Sequence, residues 1–205
     1  IGGRRLRLTN LDKVLYPESG LTKGAVIDHY ARIAPVLLPH LRDRPVTLKR
    51  YPDGVEGKSF FNKDAVAHRP DWVRTTPVPT SRRPEPNRFV VIDDLPTLVW
   101  TANLAAIELH PSLSLADPTG VEEGEPGATG VTGPTSLVFD LDPGAPATII
   151  ECCEVALLLR DLLDELGLES FAKTSGSKGL QLYAPLDPTG RATDYDRTKP
   201  LAHAI

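Results

Sequence analysis

Methionine is absent from this chain, cysteine occurs twice, and aromatic residues make up only 6% of it. A chain that starts at Ile1 and holds no Met is expected to be a processed or excised fragment, and residues 199–205 read as a helix cut near its beginning. The two cysteines, Cys152 and Cys153, are adjacent. Neighbouring cysteines do not ordinarily form a disulfide, and no His or Cys stands at metal-ligand spacing from them, which excludes a disulfide framework and a zinc site of cysteines. They read as buried thiols on a helix face in a reducing, cytoplasmic compartment. No apolar run approaches the roughly 20 residues of a membrane span, and no signal-peptide pattern is visible. A uniform basic excess is also lacking: the formal net charge is −4.

Proline is plentiful at 20 residues and implies stiff connections. The 205 residues suffice for one sizeable domain or two small ones. Charge is uneven along the chain. Residues 1–50 carry ten Lys/Arg against four Asp/Glu, whereas residues 84–165 carry two against fifteen. That asymmetry suits one region for an anionic partner and another for cations, although solvated faces scatter charge in the same way.

Thr22 is a plausible N-cap for a helix reaching about Leu41, with apolar residues at helical spacing and Pro35 expected to kink or divide it. Short strands are expected at 5–8, 45–51 and 58–63, extended chain at 71–77 and 88–92, and a helix over 97–109 that ends near His110. Residues 117–135 read as a flexible acidic loop. Thr148 and Glu151 form a capping-box pattern opening a helix that closes at Gly167. That helix connects two strands that could be parallel, and two further short strands flank residues 175–179. The pattern is α/β or α+β, a helix-flanked mixed sheet.

The most informative stretch is Ser136-Leu-Val-Phe-Asp-Leu-Asp-Pro143. Residues i and i+2 of a strand share a face, so Asp140 and Asp142 leave one side, with Cα atoms about 6–7 Å apart. Hard oxygen ligands at that spacing suit Mg²⁺ or Mn²⁺ and in-line phosphoryl or nucleotidyl transfer. Asp is also common where a strand enters a turn, so the pair alone leaves both readings open. Ser175-Gly-Ser-Lys-Gly179 could bring N–H groups and the Lys178 ammonium to phosphate oxygens, but its spacing is not that of a P-loop. His110, Lys49 and Arg50 could contact a nucleotide or be solvated charge. Phe60 and Phe61 are consecutive, so one is expected in the core and the other exposed where a base could stack.

Together these pieces resemble the polymerase domain of bacterial DNA ligase D and its stand-alone relatives, members of the archaeo-eukaryotic primase superfamily. The resemblance rests on seven motifs in order: Leu8-Thr-Asn-Leu-Asp-Lys-Val-Leu-Tyr-Pro17, Leu21-Thr-Lys-Gly24, Arg44-Pro-Val-Thr-Leu-Lys-Arg-Tyr-Pro-Asp-Gly54, Phe60-Phe61, Glu108-Leu-His-Pro111, Leu137-Val-Phe-Asp-Leu-Asp-Pro143 and Lys173-Thr-Ser-Gly-Ser-Lys-Gly-Leu180. It implies one primase-polymerase domain over 1–205, incomplete at its C-terminus, that adds NTPs or dNTPs at gaps and broken ends of DNA. It implies Asp140 and Asp142 as catalytic ligands of two Mn²⁺ or Mg²⁺ ions, and Ser175, Lys178, His110, Lys49 and Arg50 around the nucleotide. It further implies Asn10, Lys13 and Lys23 on the DNA 5′-phosphate, and Phe60 and Phe61 against template bases. Gapped or broken duplex DNA, Ku and a DNA ligase are the implied partners, in the bacterial cytoplasm at the nucleoid and not at a membrane. The family's third catalytic aspartate would fall beyond Ile205, so this chain alone is expected to be catalytically impaired. Gln181 stands where many members carry His. Two other readings use the same residues: a non-catalytic module that binds DNA ends, and a metal-dependent phosphohydrolase or nuclease.

Overall fold

The computed structural model describes residues 1–117, 130–187 and 193–205. Two compact units emerge, one of Ile1–Ser112 with Ala116–Val131, the other of Leu113–Leu115 with Thr132–Ile205.

The first unit opens with β1 (Val14–Tyr16) and β2 (Leu21–Thr22), a short antiparallel pair leading into α1 (Lys23–Leu41). Thr22 caps α1 by accepting the Ala25 N–H at 3.3 Å. Pro35 and Pro39 both lie inside α1, so Pro35 does not divide it. Then follow β3 (Pro45–Arg50), β4 (Phe60–Asn62), β5 (Thr75–Val78), β6 (Asn87–Val91), α2 (Leu95–Asn103) and β7 (Ala106–Pro111). The sheet runs β4-β3-β6-β5, with β7 also paired to β3, and every pairing is antiparallel. Val46 and Leu48 of β3 enter a core with Ile27 and Tyr30 of α1 and Leu98 and Val99 of α2. The intervening Thr47 and Lys49 therefore look out from the opposite face.

Several expectations change here. Residues 5–8 are not a strand, because their backbone pairs with a side chain instead. Asn103 Nδ2 donates to the Arg7 carbonyl at 3.2 Å, and the Thr9 N–H donates to Asn103 Oδ1 at 3.0 Å. The helix expected to reach 109 stops at Asn103, and Ala105 takes a positive φ of 56°. Residues 106–111 form β7, so His110 sits on a strand rather than at a helix end. Apolar residues at 102, 105, 106 and 109 mimic a helical stripe, while Ile107 and Leu109 against Glu108 and His110 are the true alternation of two. Phe60 and Phe61 are both exposed, at 46% and 58%, because β4 is an edge strand.

The second unit contains a three-stranded antiparallel sheet, β10-β12-β11. Its strands are β10 (Ser136–Leu141), β11 (Phe171–Thr174) and β12 (Leu180–Pro185); β8 (Ser114–Ala116) and β9 (Val131–Pro134) precede it in the chain. Both β10 and β11 run antiparallel to β12, so they are parallel to each other with β12 between them. The helix α3 (Ile149–Glu165) links them and packs Leu163 against Leu137 and Leu182, and Cys152 and Ala156 against Leu180. The capping box is complete, and Gly167 follows with φ 73°, as a C′ residue should. Cys152 is buried but Cys153 is exposed, a correction to the paired burial expected of them. Ile150, Leu157, Leu158, Leu162 and Leu166 are exposed along α3. The chain's last element is α4 (Tyr195–Ala204). Of the acidic loop expected at 117–135, residues 118–129 lie outside the described residues, while 131–134 form β9 rather than loop.

Candidate active site and phosphate pocket

The candidate side chains gather in three places, one in the second unit and two in the first. In the second, Asp140 pairs across the sheet with Gln181, which pairs in turn with Lys173. Residues directly opposite share a face, so these three form a polar row on the side away from α3. Asp140 and Asp142 are both exposed. Tyr183 donates from its hydroxyl to Gln181 Oε1 at 3.0 Å, and the Lys173 ammonium lies 6.0 Å from the Tyr183 ring. Burial, and then the Asp140 carboxylate, push the Tyr183 phenol up.

The turn after β11 is built around Ser175. Its Oγ accepts the N–H groups of Ser177 at 3.3 Å and Gly179 at 3.1 Å, and its own N–H donates to the Gly179 carbonyl at 3.0 Å. The Ser175 hydroxyl proton remains available to a ligand. Gly179 is required by close approach: a Cβ there would stand 2.5 Å from Asp142 Oδ1 and from the Leu141 carbonyl oxygen. The Ser/Gly/Lys turn and the second aspartate are thus in direct contact, and Lys178 is exposed beside them.

In the first unit, one sheet face carries Phe61, Lys49 and Glu108 as a continuous cross-strand row. Lys49 Nζ donates to Glu108 Oε1 at 2.8 Å, the Tyr51 hydroxyl donates to the same oxygen, and His110 Nε2 lies 3.0 Å from Oε2. The Phe61 ring meets His110 edge-on at 5.5 Å. Burial works to raise the Glu108 carboxyl, but hydrogen bonds from Lys49, Tyr51 and His110 outweigh it and hold the group below its ordinary range.

The third cluster is a cavity of about 570 Å³ on the helix side of the same sheet, lined by Arg5, Arg7, Asn10, Lys13, Lys23, Arg50 and His68 among others. Local backbone bonds assemble it. The Lys13 N–H donates to the Asn10 carbonyl at 3.1 Å, that of Lys23 to the Lys13 carbonyl at 2.8 Å, and that of Gly24 to the Leu11 carbonyl at 2.8 Å. Asn10 adopts φ 52°, a left-handed conformation that Asn tolerates. Lys23 is only 5% exposed; its ammonium donates to the Thr9 carbonyl at 2.6 Å and approaches Thr9 Oγ1 at 3.3 Å. Burial, then Lys13, then Arg50 push the Lys23 pKa down, so the cavity holds positive charge that an anion would relieve. Lys13 pairs with exposed Asp53 at 3.0 Å, an ion pair weak enough to exchange.

Asn10, Lys13 and Lys23 therefore meet in one cavity, and Lys49 and His110 meet around one carboxylate. Arg50 does not join Lys49 and His110 but lines the cavity with Lys13 and Lys23. It points to the helix side, donating from Nε to the Leu104 carbonyl at 3.0 Å, with its guanidinium 5.3 Å from the Phe60 ring. Glu108 and Tyr51 were not singled out from sequence, although alternation along 106–111 would have put Glu108 beside His110. Among the described residues no helix is long and apolar enough to cross a membrane.

The profile of the family described as LigD, primase-polymerase domain, matches residues 22–205. The chain belongs to that family. The LigD non-homologous end joining DNA repair protein of Mycobacterium tuberculosis is 43% identical over 185 residues, covering 90% of this chain and 24% of that protein. The bifunctional LigD of Bacillus subtilis is 32% identical, covering 98% of this chain and 30% of that protein. The chain thus spans about a quarter of the length of the mycobacterial relatives it matches. Among solved structures, the polymerase domain of M. tuberculosis Ligase D in complex with DNA superposes with a TM-score of 0.84 at 40% identity, covering 98% of this chain and 67% of that one. The mixed α/β architecture is that of the LigD polymerase domain.

Proposed function

We propose that this chain is the nucleotidyl-transferring part of an end-joining repair protein, adding nucleotides to DNA at gaps and broken ends, with both units acting as one primase-polymerase domain. The observation that carries the reading is the pair Asp140 and Asp142, exposed at the end of β10, with Gly179 of the Ser/Gly/Lys turn packed against Asp142. Among the described residues no group of three or more His, Cys, Asp or Glu is arranged to hold a metal ion. Two solvent-facing carboxylates nevertheless fit a hard divalent cation that retains much of its water, Mg²⁺ or Mn²⁺. Such cations, when bound, supply charge neutralisation to a triphosphate and orient the attacking hydroxyl.

The protein's own groups account for the remainder. The Ser175 hydroxyl donates to a phosphate oxygen while its lone pairs hold the turn. Lys178 neutralises charge on the phosphate that Ser175 holds, and in the first unit Lys49 and His110 offer a cation and a free ring nitrogen to a nucleotide. Asn10, Lys13, Lys23 and Arg50 bind a single 5′-phosphate at the far side of a gap, which fixes register without reading sequence. Exposed Phe60 and Phe61 stack against template bases. Ku and a DNA ligase are the partners that the family implies.

The experiment is nucleotide addition to a gapped duplex by the natural protein that carries this chain, with Mn²⁺ supplied. Asp140→Asn and Asp142→Asn should each abolish addition and leave binding of the gapped DNA intact. Retained addition in either variant would remove the two carboxylates from the chemistry.

A further inference from the structure

Glu108 receives three side-chain donors on one carboxylate. Lys49 and Tyr51 share Oε1, and His110 takes Oε2. Such convergence is more than β7 needs for pairing, since its backbone is already bonded to β3 along its length. The carboxylate also sits at an open place: His110 is exposed, and Lys49 Nζ lies over the rings of Tyr51 at 5.3 Å and Phe61 at 5.5 Å.

An ionised carboxylate accepts hydrogen bonds and donates none. Nε2 of His110 must therefore carry its proton toward Glu108, and Nδ1 is the atom left for a ligand. Without that bond the imidazole could turn over and could hold its proton on either nitrogen, so the orientation and tautomer presented to a ligand would be mixed. The same carboxylate pins the Lys49 ammonium, which ends a stem of four rotatable carbons, against two aromatic faces.

We infer that Glu108 is a positioning residue for nucleotide binding, holding His110 in a single tautomer with Nδ1 outward and fixing the Lys49 ammonium beside it. The inference rests on the nucleotide-site reading given above. Glu108 contacts no reacting atom; it acts through His110 and Lys49, by fixing before binding what would otherwise be ordered during it.

The decisive variant is Glu108→Gln, which keeps the shape but can turn an N–H₂ toward His110. Two readings are made, the first on the wild type, Glu108→Gln and Glu108→Asp, the second on these and on His110→Ala and the double variant. The first is the protonated ring nitrogen of His110 by ¹⁵N–¹H correlation. The second is the affinity for ATP with Mn²⁺ by calorimetry. Wild type should show the proton on Nε2, and Glu108→Gln should shift it to Nδ1 and weaken ATP binding about tenfold, the worth of one charge-assisted hydrogen bond. The double variant should bind no more weakly than His110→Ala by more than the share owed to Lys49, because the two losses describe one interaction. Glu108→Asp, which keeps the charge and shortens the reach, should retain the Nε2 proton and serves if Glu108→Gln does not fold. An unchanged tautomer in Glu108→Gln, a shifted one in Glu108→Asp, or fully additive losses would overturn the inference. If His110→Ala binds ATP as wild type does, the nucleotide-site reading falls and this inference falls with it. If His110→Ala weakens ATP binding and Glu108→Gln does not, the inference alone is overturned.

Discussion

Lys49 and Arg50 are consecutive on β3 and face opposite ways, Lys49 onto Glu108 and Arg50 onto the Leu104 carbonyl above the basic cavity. Alternation along the strand thereby divides two adjacent cations between two faces of the sheet. Arg50→Ala should lower the preference for a 5′-phosphate over a 5′-hydroxyl by about tenfold and leave nucleotide affinity alone, while Lys49→Ala should do the reverse. Binding titrations of the two ligands against both variants check this, and equal effects on both ligands would contradict it.

Gly179 gives a structural test of the carboxylate site. A methyl group there would collide with Asp142 Oδ1 and the Leu141 carbonyl. Gly179→Ala should cost about 1–3 kcal/mol of stability by overpacking and should weaken Mn²⁺ binding as Asp142 is displaced. Urea unfolding and Mn²⁺ titration by electron paramagnetic resonance measure the two effects.

Lys23 should make binding of a 5′-phosphate pH-dependent. Its pKa is depressed by burial and by the neighbouring Lys13 and Arg50, so its proton leaves at a lower pH than from a lysine in water. Affinity for the phosphate should therefore fall on the alkaline side before the ordinary lysine range, and binding near that fall should take up protons. The free protein should behave in the opposite sense. Because the unfolded chain binds this proton more tightly, the Lys23 contribution to stability rises with pH between its depressed value and that of a free lysine. Calorimetry in buffers of different ionisation enthalpy reads the proton uptake, and Lys23→Ala should abolish it.

Phe60 and Phe61 are exposed, so replacing either by alanine should leave the thermal midpoint nearly unchanged. Binding of duplex with an unpaired template stretch should weaken by about 1–3 kcal/mol for each stacked base lost. A large fall in the midpoint would return these rings to the core.

The capping box of α3 makes a purely structural prediction. Thr148 accepts the Ile150 N–H at 3.2 Å, and Glu151 accepts from the Thr148 backbone at 2.6 Å and its hydroxyl at 2.7 Å. Thr148→Ala should cost about 1 kcal/mol, read as a lowered urea midpoint.

Much of this was legible in the sequence where local chemistry decides structure. The Thr22 cap, the Thr148 box, the Gly167 stop and the alternating β10 strand, with Asp140 in it and Asp142 just past its end, all follow from rules that act over a few residues. What failed depended on distant partners. Residues 5–8 have strand-like alternation but find the Asn103 side chain instead of a neighbouring strand. Residues 106–109 satisfy a helical stripe and a strand alternation equally well, and the edge of β3 decides between them. Alternation puts one of Phe60 and Phe61 in the core, yet β4 lies at the sheet edge and both are exposed. Pro35 stays within α1 because removing one backbone donor does not outweigh the burial of Tyr30, Ala34 and Leu41 along that helix. For the candidate site, the resemblance proposed residues, but Arg50 parting from Lys49 and Glu108 gathering three donors depend on partners distant in the chain.

The most direct measurement is the binding of this chain to a gapped duplex carrying a 5′-phosphate or a 5′-hydroxyl at the gap, followed by fluorescence anisotropy. A clear preference for the phosphate, lost in both Lys13→Ala and Lys23→Ala, is the result predicted for an end-joining polymerase domain. Equal binding of the two duplexes by folded protein would contradict it.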